Sequence, residues 1–463
     1  GIFNSTSGDD LTVTGNVTIN AGAVFQPTGD NNFTLRGNLL NNGTFNANNG
    51  GSDMAVTFNG ATQSISGTGT FTFDDLTFTN NTTTTLGVSL TAIAGSLSVD
   101  AGSTLDMGTF NIGTPSALNL ERGGFTTGAT INGTGTISLG GNVAVTSVSP
   151  GGSSAAVVNP NISLGATRTF NIADDGTNII DIALNGTISG ATFGLTKTGA
   201  GSLALMGNNT YTGATTVSAG ELVLGSANAI PGGIGSTGGT SNINISGSAV
   251  INLGAGNFSR PLGTGASQIQ FTGSGGFSAS GADRTVNFGG AGAAVTWAAG
   301  SFVPTGSTLI LGSGSGFTTV DFQNPIALGN NSTRTIQVNG VTYSKISAAI
   351  SGTGTSGITK TGSQLLELTA ASTFPGTTTV NSGTLKLSNT AALGAAGTAL
   401  VLNTGTTLEL ATDATINAYN TTINGTATIN SNRATSGAAI THTLGTLSIG
   451  TADQLNVTVG ANV

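Results

Sequence analysis

One histidine and three pairs of adjacent aspartates are the residues of this chain best suited to acid–base or nucleophilic chemistry. His442 is the only histidine among 463 residues and cysteine is absent, so a Ser-His-Asp system could form only around His442. The same composition excludes metal sites built from several His or Cys. His442 alternates with apolar neighbours in ITHTLGTL, a pattern that favours an outward or stacked structural role.

The paired carboxylates are the second group with chemical potential. They are Asp9/Asp10, Asp74/Asp75 and Asp174/Asp175. Neighbouring residues of a strand face opposite sides, and no basic residue recurs beside these pairs, so they do not form acid–base dyads. Calcium is the more plausible ligand for them, but no EF-hand or nonapeptide calcium repeat is present. We therefore predict no catalytic residue, no cofactor and no metal.

Two weaker signals have structural explanations. Gly352-x-Gly354-x-x-Gly357 is followed by a Thr-Lys corner and a strand, whereas dinucleotide binding needs a helix N-terminus for the pyrophosphate. The aromatic residues are mostly phenylalanine, 20 against one Trp and three Tyr, which fits a stacked core. The candidates for stacking on a ligand are Trp297, Tyr211, Tyr343 and Tyr419.

A repeated segment indicates which elements must position any site. Residues 195–230 alternate apolar and polar residues between glycines, as short strands joined by tight turns do. The pattern recurs at residues 358–393, where Lys360 aligns with Lys197 at an offset of 163. Of the 29 residues from 196 to 224, 14 are identical in the second copy. Such self-similarity predicts a solenoid.

The repeat resembles the autotransporter-associated β-strand repeat of secreted bacterial surface proteins. The motif is K-T-G-x-G-x-L-x-L followed by N-x-Y-x-G-x-T-x-V-x-x-G-x-L-x-L, and in the second copy Gln364, Ser372 and Phe374 depart from it. The resemblance implies a right-handed parallel β-helix in an extracellular surface protein. We predict a structural role, with the Lys-Thr-Gly triplets at corners, for the motif positions Lys197, Thr198, Gly199, Gly201, Tyr211, Gly213, Gly220, Lys360, Thr361, Gly362, Phe374, Gly376 and Gly383.

Composition supports an exported solenoid with few charged residues. Glycine accounts for 75 of the 463 residues, roughly twice the average share of about 7%. Only 6% of the residues are charged, against an average of about 25%. Its net charge of −8, with 11 scattered basic residues, disfavours nucleic acid and anionic membranes as partners. No apolar run reaches the length of a transmembrane helix. The chain begins at Gly1 without a leader, so we expect a bacterial extracellular or cell-surface protein whose signal peptide has been removed.

The coil period is clearest in the N-terminal part of the chain, from Gly1 to Gly113. Apolar pairs at Leu11/Val13, Phe33/Leu35, Val56/Phe58, Leu76/Phe78 and Leu97/Val99 are spaced by 22, 23, 20 and 21 residues. These spacings predict coils of roughly 20–23 residues, hence roughly 21 coils in an elongated rod on the order of 100 Å. A β-sandwich or barrel would also show short, evenly spaced strands, but the self-similarity at coil length and the scarcity of hairpin dipeptides such as Asp-Gly disfavour both.

We divide the predicted solenoid into N-terminal coils at 1–160, a first super-repeat at 161–323 and a second at 324–463. In-register stacking would place like charges over each other, so Thr, Ser and Asn suit its surface, and Asn side chains can form ladders. Residues 147–160 and 226–242 are predicted surface loops.

We expect a non-enzymatic stalk, passenger or fibre subunit. Its partners would be other copies, stacked head to tail or laterally, or the remainder of a larger surface protein. An adhesin that binds glycans through the two loops is the alternative, and a polysaccharide-degrading β-helix enzyme is the third hypothesis.

Overall fold

The computed structural model describes residues 2–5, 10–27, 30–48, 50, 53–123, 127–147, 154–174, 176, 179–340 and 342–463. Asp9, Asp175 and positions 148–153 of the first predicted loop lie outside these ranges. Within them the chain forms strands and turns and contains no helix, so no helix there is long and apolar enough to cross a membrane. Backbone contacts group the chain into two units, Gly1–Pro231 and Gly232–Val463, each containing one copy of the repeated segment. The three-part division made from the sequence stays a prediction.

The first unit consists of short strands. They are β1 Ile2–Ser5, β2 Leu11–Val13, β3 Val17–Ile19, β4 Val24–Pro27, β5 Asn31–Leu35, β6 Leu39–Asn41, β7 Thr44–Asn46, β8 Met54–Phe58, β9 Thr62–Ser66, β10 Thr70–Thr72, β11 Leu76–Phe78, β12 Thr83–Leu86, β13 Ser96–Val99, β14 Thr104–Asp106, β15 Ala117–Arg122, β16 Thr130–Asn132, β17 Thr136–Ser138, β18 Asn142–Ser147, β19 Ala156–Val158, β20 Asn161–Ser163, β21 Arg168–Ile172, β22 Ile182–Leu184, β23 Ile188–Ser189, β24 Leu195–Thr198, β25 Ser202–Leu205, β26 Thr215–Val217 and β27 Glu221–Leu224.

These strands pair in parallel with strands one turn away. One sheet of the unit runs β2-β5-β8-β11-β13-β15-β18-β21-β24-β26, and a second runs β3-β6-β9-β12-β14-β16-β19-β22-β25-β27. Shorter sheets, β1-β4-β7-β10 and β17-β20-β23, complete the turns. Parallel pairing between successive turns of one chain is the defining feature of a β-solenoid, so the predicted all-β parallel solenoid is confirmed. The hand of its winding stays a prediction.

The second unit is built in the same way. Its strands are β28 Ile243–Ile245, β29 Ala249–Leu253, β30 Ile269–Phe271, β31 Gly275–Ala279, β32 Arg284–Val286, β33 Val295–Thr296, β34 Thr308–Leu311, β35 Val320–Phe322, β36 Ile326–Asn330, β37 Thr333–Val338, β38 Ser344–Ile346, β39 Ile350–Thr353, β40 Gly357–Thr361, β41 Leu365–Leu368, β42 Thr378–Val380, β43 Thr384–Leu387, β44 Ala399–Asn403, β45 Thr407–Ala411, β46 Asn420–Asn424, β47 Thr426–Asn432, β48 Leu447–Ile449 and β49 Gln454–Val459.

Two long parallel sheets dominate this unit. One runs β29-β31-β34-β37-β40-β42-β44-β46-β48 and the other β32-β35-β38-β41-β43-β45-β47-β49. The strand β40 begins at Gly357, the last glycine of Gly352-x-Gly354-x-x-Gly357, which confirms that this glycine pattern does not precede a helix. Residues 226–242 contain no strand, as predicted for a loop.

The registers confirm the apolar spacing that the sequence predicted for the first turns. Leu11 pairs with Phe33, Phe33 with Val56 and Val56 with Leu76. Some later turns are longer, because the paired residues Val143 and Phe170, and likewise Gly276 and Ile310, lie further apart in the sequence. The described part of the chain therefore winds through about 18 turns, so the coil count predicted from the sequence was too high. Loops inserted between strands lengthen a turn without changing the strand pairing.

Side chains alternate between a buried face and a solvent face along most strands. Phe33, Phe58 and Phe78 are fully buried, and the rings of Phe58 and Phe78 stack with centroids 5.5 Å apart. Burying a phenylalanine contributes about 1.5–3 kcal/mol, so the stacked apolar interior supplies most of the stability of each unit.

Asparagine ladders satisfy polar groups at the turns, as expected from the sequence. The Nδ2 group of Asn159 donates to Oδ1 of Asn132 at 2.7 Å, and Nδ2 of Asn185 donates to Oδ1 of Asn159 at 2.7 Å. In the second unit Asn403 donates to Asn381 at 2.6 Å. Each amide is thus hydrogen-bonded to its counterpart one turn away.

Candidate functional site

The residues suited to acid–base chemistry serve the backbone. His442 is half-buried, with its Nε2 2.9 Å from the carbonyl oxygen of Asn432. The Oδ1 atom of Asp75 accepts from the amide and hydroxyl of Ser96 at 2.6 and 2.8 Å, one turn further along. Asp10 accepts from the amide and side chain of Asn32 in the same way, both at 3.0 Å. Both carboxylates therefore accept hydrogen bonds from the next turn and connect it to their own.

The aspartate pairs also fail to converge with other ligands. Asp74 is half-buried, and burial, together with the charges of Asp53 and Asp75, raises the pKa of its carboxyl. Asp174 accepts from the amide of Gly176 at 2.8 Å, two residues along its own turn. Across the described ranges no group of three or more His, Asp or Glu side chains is arranged to hold a metal ion.

Three of the four aromatic residues considered for ligand stacking lie in the core. Tyr211 and Tyr419 are fully buried and Trp297 is 2% exposed, so the hypothesis that they present rings to a ligand was wrong. Tyr343 alone is exposed, at 42%.

Two open grooves in the second unit lack the side chains that an active site needs. One, of about 590 Å³, is lined by residues that include Phe374, Thr398 and Asn417; the other, of about 360 Å³, includes Leu262 and Phe288. Neither is lined by a charged side chain. Both lack the perturbed acid or base that usually marks an active site.

The two copies of the repeated segment each contain a completely buried lysine. In the first copy β24 pairs with β26 and β25 with β27, so Lys197 lies over Val217 and Leu203 over Leu222. In the second copy Lys360 lies over Val380 and Leu366 over Leu385. Each copy therefore forms two strands of one turn and the two strands that stack on them.

Lys197 is completely buried at the end of its strand. Its ammonium donates to three backbone carbonyl oxygens, those of Thr198 at 2.9 Å, Gly199 at 2.8 Å and Ala219 at 3.2 Å. A lysine ammonium has three donors, so all are satisfied, and the third bond connects Lys197 to the next turn. We call this arrangement the first lysine cage.

Lys360 forms the second lysine cage, in which two of the three partners are equivalent to those of the first and Gln364 takes the place of Thr198. It is completely buried, and its ammonium donates to the carbonyl oxygens of Gly362 at 2.6 Å, Ser382 at 2.8 Å and Gln364. Ser382 lies 22 residues further along the chain, as Ala219 does from Lys197. The same side chain thus ties two turns together in both copies.

Burial changes the electrostatics of both cages. It lowers the pKa of Lys197 to about 8, opposed by the carboxylates of Asp181, Glu221 and Asp174. It also lowers the pKa of Lys360 to about 8. The charged form carries a desolvation cost, and the carbonyl oxygens offset part of it because their partial negative charges surround the ammonium.

Glycines of the motif leave the space that the ammonium occupies. Gly220 and Gly383 have φ angles of 65° and 69°, in the left-handed region that side chains disfavour. A Cβ atom at Gly383 would lie 2.5 Å from Nζ of Lys360 and 2.6 Å from the carbonyl oxygen of Gln364. Gly199 and Gly362, with φ of 75° and 79°, form the corner that follows each lysine.

The remaining motif positions hold adjacent turns together. The Tyr211 hydroxyl lies 2.6 Å from Oγ1 of Thr215, and Phe374 is 1% exposed at the aligned position. Gly213 and Gly376 pack so closely on the preceding turn that a Cβ atom would overlap its backbone, as would one at Gly201. Thr198 and Thr361 are half-buried at the strand ends.

The first cage belongs to a larger buried polar cluster, which we define as Arg122, Asp181, Lys197, Ser202 and Glu221. Nη1 of Arg122 lies 2.5 Å from Oδ1 of Asp181, and both side chains are at most 1% exposed. Oδ2 of Asp181 accepts from the amide of Ser202 at 2.6 Å. Burial raises the pKa of Asp181, opposed by the Ser202 amide and the Arg122 guanidinium.

Nearly all the basic residues have structural partners, which the sequence did not indicate. Among the described residues, four form ion pairs with Asp or Glu: Arg122, Lys345, Lys386 and Arg433. Seven of the 11 donate to backbone carbonyl oxygens: Arg168, Lys197, Arg260, Arg284, Arg334, Lys360 and Arg433. Arg260 holds the loop at 226–242 through Gly233 and Ser241, at 2.7 and 2.5 Å.

Comparison with known families bears on the same two segments. Residues 195–224 and 358–387 each match the family model described as Passenger-associated-transport-repeat. The chain contains two passenger repeats. No curated protein and no solved structure gave a significant match.

The passenger repeats confirm the resemblance inferred from the sequence. Each match begins at the strand that holds a caged lysine and ends at the last strand of the copy. The repeat and the β-solenoid fold together support a structural role of the surface-passenger type, and the family implies a surface or extracellular location. They suggest a non-enzymatic role.

Proposed function

We propose that this chain is a structural passenger of a bacterial surface, a rigid spacer whose stiffness comes from turn-to-turn hydrogen bonding. The observation that carries the proposal is that potentially reactive ammonium and carboxylate groups form hydrogen bonds between adjacent turns. Lys197, Lys360 and Asp75 all bond the backbone of an adjacent turn. Each of the two buried ammonium groups uses all three of its donors on carbonyl oxygens, which leaves none for a substrate.

A replacement experiment tests the spacer role. Residues 1–463 are exchanged, in the bacterium that carries them, for an unrelated parallel β-solenoid with the same number of turns. The thickness of the surface layer in electron micrographs and the display of a fused epitope should both be preserved. Loss of a surface phenotype despite normal thickness and display would contradict a purely structural role.

Export is the second part of the proposal, and rests on the passenger repeats and the absence of cysteine. Protease added to intact cells should degrade the chain, and N-terminal sequencing of the surface fraction should reveal a processed start. Full protection in intact cells, with digestion only after lysis, would contradict export.

A further inference from the structure

Two exposed aromatic side chains lie on neighbouring turns of the second unit. Phe317 is 44% exposed and Tyr343 is 42% exposed, whereas the other aromatic side chains whose burial is described are half-buried or buried. The two turns are joined where Oγ1 of Thr342 donates to the carbonyl oxygen of Thr318 at 3.1 Å. We call Phe317 and Tyr343 the aromatic ledge.

Charged side chains lie on the two turns that hold the ledge and on the turn before them. Asp283 is exposed, and its Oδ1 accepts from the amide of Thr319 at 2.8 Å, which fixes the carboxylate beside the turn that contains Phe317. Lys345 lies two residues after Tyr343, in β38, and its side chain is 32% exposed. Lys345 pairs with Asp321 across 3.3 Å.

We propose that the aromatic ledge binds a neutral polysaccharide. Aromatic rings present large, rigid surfaces to the CH faces of sugar rings, and carboxylate and ammonium groups at the edge can accept from and donate to ring hydroxyls. The Lys345 ammonium disfavours a cationic ligand such as a quaternary amine. Asp283 and Asp321 disfavour an acidic one.

The position of the ledge strengthens the choice of an extended sugar chain. Outward side chains on successive turns are about 4.8 Å apart, so a linear ligand aligned with the stack passes several of them. Beyond Lys345, the outward positions in register are Glu367, Lys386 and Glu409, a row of alternating donors and acceptors. This binding activity goes beyond the spacer role and does not depend on it.

Affinity electrophoresis of the full chain tests the proposal, with dextran, mannan or a soluble β-glucan included in the native gel. At least one polysaccharide should retard the protein. Tyr343→Ala and Phe317→Ala should each weaken the retardation at least about fivefold, because truncation of an aromatic anchor commonly weakens binding by that much or more. Tyr343→Trp, which keeps a large ring, should retain it.

Ile179→Ala is the matched control, since Ile179 is an apolar side chain of similar exposure, 46%, in the first unit. It should leave retardation unchanged, and all variants should keep the parental thermal midpoint because the substituted side chains are exposed. The proposal is overturned if none of the three polysaccharides retards the chain, or if the ledge variants migrate like the parent.

Discussion

Both lysine cages hold a buried ammonium group, but the charged residues around the two differ. In the first unit Lys197 lies in the buried polar cluster, where the carboxylates of Asp181 and Glu221 oppose the cost of its burial. In the second unit Leu365 and Thr384 occupy the positions aligned with Ser202 and Glu221, and only burial acts on the pKa of Lys360. The shared part is therefore the carbonyl cage with its glycine, and a buried counter-charge is not required to hold the lysine.

The largest expected effect separates the two cages directly. Lys197→Met should cost about 3–5 kcal/mol, because it removes a cation from beside buried carboxylates and also orphans carbonyl oxygens. Lys360→Met should cost only about 1–3 kcal/mol, because the orphaned carbonyl oxygens are its main penalty. Hydrogen exchange of peptides covering residues 195–224 and 358–387 measures the local opening free energy of each copy. Equal losses would show that the carboxylates of the first unit do not contribute.

The second prediction concerns pH. The pKa of Lys360 is about 8 in the folded chain and 10.5 in the unfolded chain, so between these values the unfolded state binds more protons. The free energy of unfolding should therefore rise by up to about 3 kcal/mol as pH increases from 8 toward 10.5. Urea unfolding at pH 7 to 10 measures this rise. The Lys360→Met variant should lack the part of the rise that Lys360 contributes. Stability that falls over this range in the parent, or an identical rise in the variant, would contradict the cage.

A third prediction tests the glycine that shapes the cage. Gly383→Ala should cost about 2–3 kcal/mol, because it combines a strained φ of 69° with overlap on the Lys360 ammonium. Gly405 is the matched control, since its φ is 78° but a Cβ atom there would meet nothing within 4 Å. Gly405→Ala should cost about 1 kcal/mol. Comparable thermal shifts in the two variants would mean that the cage has room for a methyl group.

The smallest expected effect concerns a row of alternating charges on the outer face of the second unit. Asp321, Lys345, Glu367, Lys386 and Glu409 follow one another in register, with Lys386 3.3 Å from Glu367. Glu367→Lys would place like charges on three successive turns and should destabilise by about 1 kcal/mol or less. The loss should shrink at high salt, whereas Glu367→Gln should be nearly neutral. A salt-independent loss would indicate disrupted packing instead.

This row shows what the sequence could and could not predict. Apolar alternation and glycine spacing were enough to predict the strands and the registers from Leu11 to Leu97. The charged row could not be predicted, because the sequence separation of its members changes from turn to turn and no fixed period aligns them. The prediction that charges would be avoided in stacked positions omitted the alternative of alternating signs.

The lysine cages were only partly predictable. Lys197 shares the parity of Leu195 in its strand, which places it on the inward face. A charged residue at an inward position is unusual enough to signal a buried site. Its partners, however, are carbonyl oxygens such as that of Ala219, and their convergence depends on a turn geometry that only the folded chain defines.

Lysine acetylation footprinting with mass spectrometry tests the central claim most directly, because the chain has four lysines and two of them serve as internal controls. Lys345 and Lys386, with side chains 32% and 28% exposed, should be acetylated at pH 8 in the native protein. Lys197 and Lys360 should stay unmodified until urea unfolds the chain, since burial alone prevents reaction at a pH where much of each amine is neutral. Modification of all four lysines at similar rates in the native state would contradict the lysine cages and the structural role built on them.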